Sequence, residues 1–177
     1  MKINKIAIVS KFGSKESEKV AVELAKKLLK LKSQVFTVAP VSVDGAKKVR
    51  SIEDLKKIKL DLAITLGGDG TTLRTFRNIA NETPLLAVNV GGNRGILSEI
   101  TLSEIDKALQ HIKKNEIWID KRTRVTASCN GETFQPALNE IYVNRKNLTK
   151  TAEFEIKFQN DTVKQKMDGA IISTPSG

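Results

Sequence analysis

Cysteine, histidine, tryptophan and tyrosine occur once each in this chain of 177 residues. A lone Cys129 cannot close an internal disulfide, and Cys129 with the lone His111 makes a poor metal-ligand set, so redox and zinc chemistry drop out. His111 falls in an amphipathic pattern beside Lys113 and Lys114 and reads as an ordinary surface or boundary histidine. Trp118 opens a strand-like run and reads as a packing residue. Aromatics are too few to build a base-stacking platform, and the net charge of +10 is spread along helical patches such as Lys26, Lys27, Lys30 and Lys32. No nucleic-acid partner is expected. No apolar run approaches the ~20 residues of a membrane span, and no signal-peptide pattern opens the chain. The expected setting is therefore the cytoplasm, away from membranes.

What is present is an ordinary globular composition, 40% hydrophobic and 28% charged, with room for one large domain or two small ones. The first half alternates short β-branched runs with helical segments, the pattern of a parallel sheet covered by helices. Strands are expected at Lys5–Ser10, Gln34–Ala39, Leu62–Leu66 and Leu85–Asn89. Helices are expected at Ser17–Leu31, at Ile52–Ile58, and from a Ser103 cap to about Lys114, with a loop through Asp44-Gly45. After Trp118 the helical period fades into short alternating runs: Arg124–Ser128, Ala137–Asn144, Ala152–Phe158, Thr162–Lys166 and Ala170–Ser173. Asn130-Gly131 and Asn160-Asp161 supply hairpin turns between some of them. The expected architecture is an α/β domain with a parallel sheet over residues 1–116, then an antiparallel all-β, sandwich-like domain that starts at 117 and is incomplete at 177.

The strand at Leu62–Leu66 runs straight into Gly67-Gly68-Asp69-Gly70-Thr71. Glycines there let backbone N–H groups approach a phosphate, and the helix opened by Thr71-Thr72 attracts anions at its N-terminus. A tight strand-to-helix turn capped by Asp69 or Thr71 is the plainer alternative. Asp69 favours chemistry over the turn. A bare carboxylate about 4 Å from a phosphate charge costs roughly 4 kcal/mol at an effective dielectric of 20, so a simple phosphate loop should avoid it. It becomes favourable facing a magnesium ion or accepting a proton from an attacking hydroxyl, and both roles belong to phosphoryl transfer. Neither the Walker pattern nor the dinucleotide glycine fingerprint is matched.

The loop resembles the Gly-Gly-Asp-Gly-Thr loop shared by NAD kinases, diacylglycerol and sphingosine lipid kinases, and phosphofructokinases. Three further segments stand in the order that NAD kinases show. Leu85 to Glu99 resembles their strand and Asn-x-Gly-x-x-Gly-Phe-Leu loop, one residue longer here and with Ile96 in place of the Phe. Asn139-Glu140 resembles their Asn-Glu pair, and Asp168-Gly169 through Thr174-Pro175-Ser176-Gly177 resembles the start of their Asp-Gly…Thr-Pro-Thr-Gly-Ser segment. The family continues beyond that point, so the chain reads as truncated on its C-terminal side.

The resemblance implies transfer of the terminal phosphoryl group of ATP, or of polyphosphate, to the 2′-hydroxyl of the adenosine ribose of NAD, giving NADP. Asp69 would be the catalytic residue. Asn139, Glu140 and Asp168 would hold the dinucleotide, and Asn89 and Thr174 join the binding set. Gly67, Gly68, Gly70, Thr71, Arg74, Lys150 and Lys166 would face phosphates. Magnesium or another divalent cation would arrive on the nucleotide phosphates, with Asp69 as the one protein group able to touch it. A homo-oligomer, dimer or tetramer, is expected. Two other readings stay open: a lipid kinase of the diacylglycerol or sphingosine type, and a shortened nucleotide-binding or interaction protein without turnover.

Overall fold

A computed structural model of the chain describes residues 3–92, 95–98, 100–147 and 149–177, and divides into two compact units, Met1–Asp120 and Lys121–Gly177. Asn93, Arg94 and Glu99, which belong to the second glycine segment, lie outside the described residues.

The first unit holds one six-stranded sheet in the order β3-β2-β1-β4-β5-β6, with β1 Lys5–Ser10, β2 Gln34–Val38, β3 Lys47–Val49, β4 Leu62–Leu66, β5 Leu85–Asn89 and β6 Ile100–Thr101. Every pairing is parallel. Such a sheet must be covered on both faces, and the alternation along each strand supplies both. Ile6, Ile8, Leu62 and Ile64 pack on one face with Ala21, Leu24 and Leu28 of helix α1 (Lys15–Lys30) and Ile112 of α3 (Ile105–Lys114). Ala7, Val9 and Ala63 face the other way, toward Ile52 and Leu55 of a 3-10 helix (Ile52–Lys57) and Phe76 at the end of α2 (Asp69–Arg77).

From β1 the chain works outward to β2 and β3, then returns to β4 on the opposite side of β1 and continues to β5 and β6. Connections leaving β1 and β4 therefore diverge, opening a crevice at their carboxyl ends, where open α/β sheets take ligands. The glycine loop after β4 sits at that point.

Several boundaries differ from the sequence expectation, each for a local reason. Helix α1 starts at Lys15 because Ser14 is its cap, its hydroxyl accepting the Ser17 N–H at 3.3 Å, and Ser17 is buried. Ahead of α3, Thr101 pairs with Glu104 in a capping box that opens a 3-10 turn, Leu102–Glu104, so Ser103 falls inside that turn and Glu104 is the residue that caps α3. Strand β3 falls in the stretch after Asp44-Gly45; its lysines hide it from a hydrophobic scan, but Lys47 lies over the Phe36 ring at 5.7 Å and Val49 is buried.

The second unit is antiparallel. Strands β7 (Ser128–Cys129) and β8 (Glu132–Thr133) join through Asn130-Gly131, both at positive φ as a two-residue hairpin requires. β9 (Glu140–Asn144) pairs with β12 (Gly169–Ser173), and β10 (Ala152–Phe158) with β11 (Asp161–Met167). Phe158 opposes Asp161, so the turn is Gln159-Asn160, with Gln159 at positive φ, one residue earlier than Asn160-Asp161. Residues 116–124 form no strand, and Trp118 is 93% exposed in place of the packing role expected for it. β-propensity is realised only against a paired neighbour, and the run from Trp118 has none among the described residues. His111 lies at the edge of α3 with Nδ1 3.2 Å from the Glu116 carboxylate.

Ile64, fully buried at the centre of the parallel sheet, tests where the stability resides. Ile64→Ala is expected to cost about 3 kcal/mol in urea unfolding, and Ile171→Ala, at a 68% exposed position, less than about 0.5 kcal/mol.

Candidate active site

Strand β4 ends in the sheet interior, and the chain must turn at once to place α2 over one face. Gly67 N–H donates to the Val88 carbonyl at 2.9 Å, and a Cβ at Gly67 would stand 2.5 Å from Thr71 Oγ1 and 3.0 Å from Lys11 Cβ. Only glycine fits there. Gly68 caps α2, its carbonyl accepting the Thr71 and Thr72 N–H groups at 3.0 and 3.2 Å. The buried Thr72 hydroxyl sits 3.3 Å from that of Thr65, tying the first turn of α2 to β4. Gly70 is exposed and makes no demand on its neighbours.

Asp69 is the first residue of α2, and its carboxylate does not hang free. Oδ1 accepts the Leu97 N–H at 3.1 Å, the Ser98 N–H at 3.1 Å and the Ser98 hydroxyl at 2.6 Å, while Oδ2 accepts the Ile96 N–H at 2.9 Å. The loop after β5 thus closes over the carboxylate like a nest for an anion. Gly95 makes the approach possible, because a Cβ there would lie 2.0 Å from Oδ1 and 2.6 Å from Oδ2. Burial pushes the Asp69 carboxyl up, but the Ser98 hydroxyl and the three amides outweigh it and hold the group below the ordinary aspartate range. The helix N-terminus favours the same charge state. Oδ1 is saturated, and Oδ2 keeps capacity for a further donor or a cation.

On the same carboxyl edge, Asn89 ends β5 with its side chain buried. Arg74, one turn and a half along α2, reaches toward Glu53 at 3.9 Å and lines a cavity of about 170 Å³ with Arg50, Ser10, Phe12 and Pro40. Gly67, Gly68, Asp69, Gly70, Thr71 and Asn89 therefore stand at the carboxyl ends of β4 and β5, while the Arg74 side chain lies with Glu53 and Arg50. Gly95 and Ser98 join the Asp69 carboxylate, and Arg50 joins Arg74 in its cavity, without having been assigned a role from sequence. Gly95-Ile96-Leu97-Ser98 did carry a signal, a glycine three residues before a hydroxyl just past a strand, but nothing local shows that its target is a carboxylate 29 residues away.

Within the second unit the register of β9 and β12 sets Glu140 opposite Ser173 and Asn144 opposite Gly169. Asn139 accepts the Thr174 N–H at 2.7 Å on its carbonyl, and the buried Thr174 hydroxyl donates to the Leu138 carbonyl at 2.5 Å. The Thr174–Gly177 turn is packed so closely that a Cβ on Gly177 would meet Asn139 backbone at 2.6 Å. Asn139, Glu140 and Thr174 thus share one end of the ribbon. Asp168 sits at the other, its carboxylate 3.1 Å from Arg145 Nε, with Lys150 tied to the same arginine through its carbonyl at 3.0 Å. Lys166, exposed on β11, lies two residues from Asp168. Four strand steps separate Glu140 from Asn144, so the two ends stand roughly 14 Å apart.

A parallel sheet with a glycine loop at its switch point places the first unit among the open α/β folds. Residues 6–117 match the family model of the ATP-NAD kinase N-terminal domain. An NAD kinase of Methanothermobacter thermautotrophicus is 32% identical over 175 residues, 98% of this chain and 61% of that protein. One from Clostridium perfringens is 40% identical over 126 residues, 68% of this chain and 45% of that protein. Among solved structures, yeast NADH kinase complexed with NADH superposes with a TM-score of 0.84 at 21% identity, covering 99% of this chain and 58% of that one. An Archaeoglobus fulgidus NAD kinase in complex with ATP superposes at 0.65 with 22% identity, covering 96% of this chain and 60% of that one. At these identities the structural likeness is one of fold. The chain belongs to the NAD kinase family, and it spans about half to three fifths of the length of the curated relatives it matches.

The nest around Asp69 predicts its titration. Because the folded-state pKa is depressed, the carboxylate contributes stability that is present above the unfolded pKa and lost as pH falls through the folded one. Carboxyl-carbon NMR should find the Asp69 midpoint below that of an unfolded aspartate, and Asp69→Asn should destabilise the chain at pH 7, with the penalty shrinking as pH falls below about 4.

Proposed function

We propose that this chain carries the catalytic loop and part of the acceptor site of an enzyme that transfers the terminal phosphoryl group of ATP to the 2′-hydroxyl of the adenosine ribose of NAD. The observation that carries the reading is the Asp69 carboxylate, immobilised at the α2 N-terminus with Oδ1 saturated and Oδ2 able to take one more donor. Phosphoryl transfer asks mainly for positioning and charge neutralisation. A carboxylate of low basicity suits orientation of the acceptor hydroxyl, receiving its proton as the new O–P bond forms and the bond from the γ-phosphorus to the departing ADP oxygen breaks. The N–H groups of the glycine loop and the guanidinium of Arg74 then face the donor phosphates, and Arg50, in the same cavity, adds charge for the polyphosphate tail.

The residues fit a divalent cation carried in on those phosphates. Among the described residues no group of three or more His, Cys, Asp or Glu could hold a metal by itself, which makes the nucleotide the main ligand. When bound, the cation would neutralise charge on the transferred group. Asn139, Glu140 and Thr174 at one end of the β9–β12 ribbon and Asp168 at the other suit an extended dinucleotide, with Asp168 accepting hydrogen bonds from a ribose diol and Lys150 and Lys166 beside it for phosphate. NAD, ATP and magnesium are thus the ligands assigned; polyphosphate as donor and NADH as acceptor are variants of the same chemistry, the latter suggested by the yeast neighbour's name.

Incubation of the chain with NAD, ATP and magnesium should yield NADP, and omission of the cation should abolish it. Asp69→Asn should lower turnover by at least about 100-fold while leaving the NAD dissociation constant nearly unchanged. Turnover at the wild-type rate would remove Asp69 from the chemistry. Glu140→Ala should weaken NAD about 10-fold by calorimetry with little effect on ATP, an outcome that an unchanged NAD affinity would contradict.

A further inference from the structure

Of the four hydrogen bonds that reach Asp69 from the described residues, three come from backbone amides, which most residues could supply, and one comes from a side chain. That one is the shortest, Ser98 Oγ to Oδ1 at 2.6 Å, and Ser98 is fully buried. Its own amide donates to the same oxygen at 3.1 Å, so a single residue grips Oδ1 twice. Opposite this grip stands Gly95, whose missing side chain leaves the space that the carboxylate occupies. A carboxylate at the start of a helix can otherwise turn about χ1 and χ2 into solvent or onto its own helix N–H groups. The hydroxyl on one side and the glycine on the other favour one Asp69 orientation, in which Oδ1 is engaged three times and Oδ2 once.

We infer that Ser98 is a positioning residue for Asp69: its hydroxyl holds Oδ1 so that Oδ2 alone addresses the acceptor. This rests on the assignment of Asp69 to phosphoryl transfer given above. Ser98 touches none of the reacting atoms in this scheme. It acts through Asp69, as groups that fix the base do in other active sites, where a misplacement of about 1 Å costs on the order of 100-fold.

The consequences separate a positioning role from a merely structural one. Ser98→Ala should reduce kcat for NAD phosphorylation about 10- to 100-fold while changing KM for NAD and ATP less than about twofold, and Ser98→Thr, which restores the hydroxyl, should recover most of the loss. A wild-type kcat in Ser98→Ala, or a Ser98→Thr variant as slow as Ser98→Ala, would overturn the inference. Gly95→Ala provides a variant that leaves the hydroxyl in place but fills the carboxylate's space, and it should lose kcat in the same way. A readout independent of turnover is the Asp69 side-chain rotamer, measured by three-bond couplings to Cγ in labelled full-length chain. Wild type and Ser98→Thr should show one χ1 rotamer, and Ser98→Ala and Gly95→Ala should show averaging or a different one. If the wild-type chain forms no NADP, the assignment of function falls, and the couplings still decide Ser98: one unchanged rotamer in Ser98→Ala would overturn its role.

Discussion

The first unit is organised around a carboxylate held by a loop that does not follow it in sequence. Asp69 opens α2, yet its hydrogen bonds come from residues 96–98, beyond the next strand. For that contact to exist, β4 and β5 must be neighbours, both must end at the same level, and glycines must stand at 67, where the Thr71 and Lys11 side chains leave no room for a Cβ, and at 95, where the carboxylate leaves none. The parallel sheet meets the first two conditions through in-register pairing of Ala63–Leu66 with Leu85–Val88. Its core of Ile6, Ile8, Ile64 and Val88 is what keeps those ends level.

The contact also governs the electrostatics. A carboxylate in a phosphate loop repels its ligand unless something else engages its charge. Amides and a hydroxyl engage the Asp69 charge here, and among the described residues they leave Oδ2 with fewer contacts than Oδ1. Positive charge stands apart from it, on the Arg50 and Arg74 side chains lining the cavity by β1, β2 and α2. The negative group and the positive groups are thus held by different contacts of the first unit, Asp69 by residues 96–98 and the two arginines at the cavity.

How much of this was legible in the sequence depended on whether a feature is local. The strands Lys5–Ser10, Leu62–Leu66 and Leu85–Asn89 announce themselves as β-branched runs, and the glycines with Asp69 mark the loop by residue type alone. Features made by pairing were not readable: β3 with its two lysines, β6 with only Ile100–Thr101, and the grip of Ser98 on Asp69. Trp118 failed as a packing residue for the same reason, since an alternating run becomes a strand only when another strand lies alongside. In the second unit the motif residues were found, but not their grouping. Asn139 and Thr174 are 35 positions apart in sequence and joined by a backbone hydrogen bond, whereas Asp168, closer to Thr174 along the chain, lies at the far end of the ribbon.

The central claim is that Asp69, held by the 95–98 loop, addresses the acceptor hydroxyl through Oδ2. A crystal structure of the chain with NAD bound tests it most directly. The expected result is a ribose hydroxyl of the adenosine half within about 2.8 Å of Oδ2, with Oδ1 still on Ser98. A dinucleotide bound with no hydroxyl near Asp69, or a carboxylate turned away from Ser98 in the complex, would contradict it.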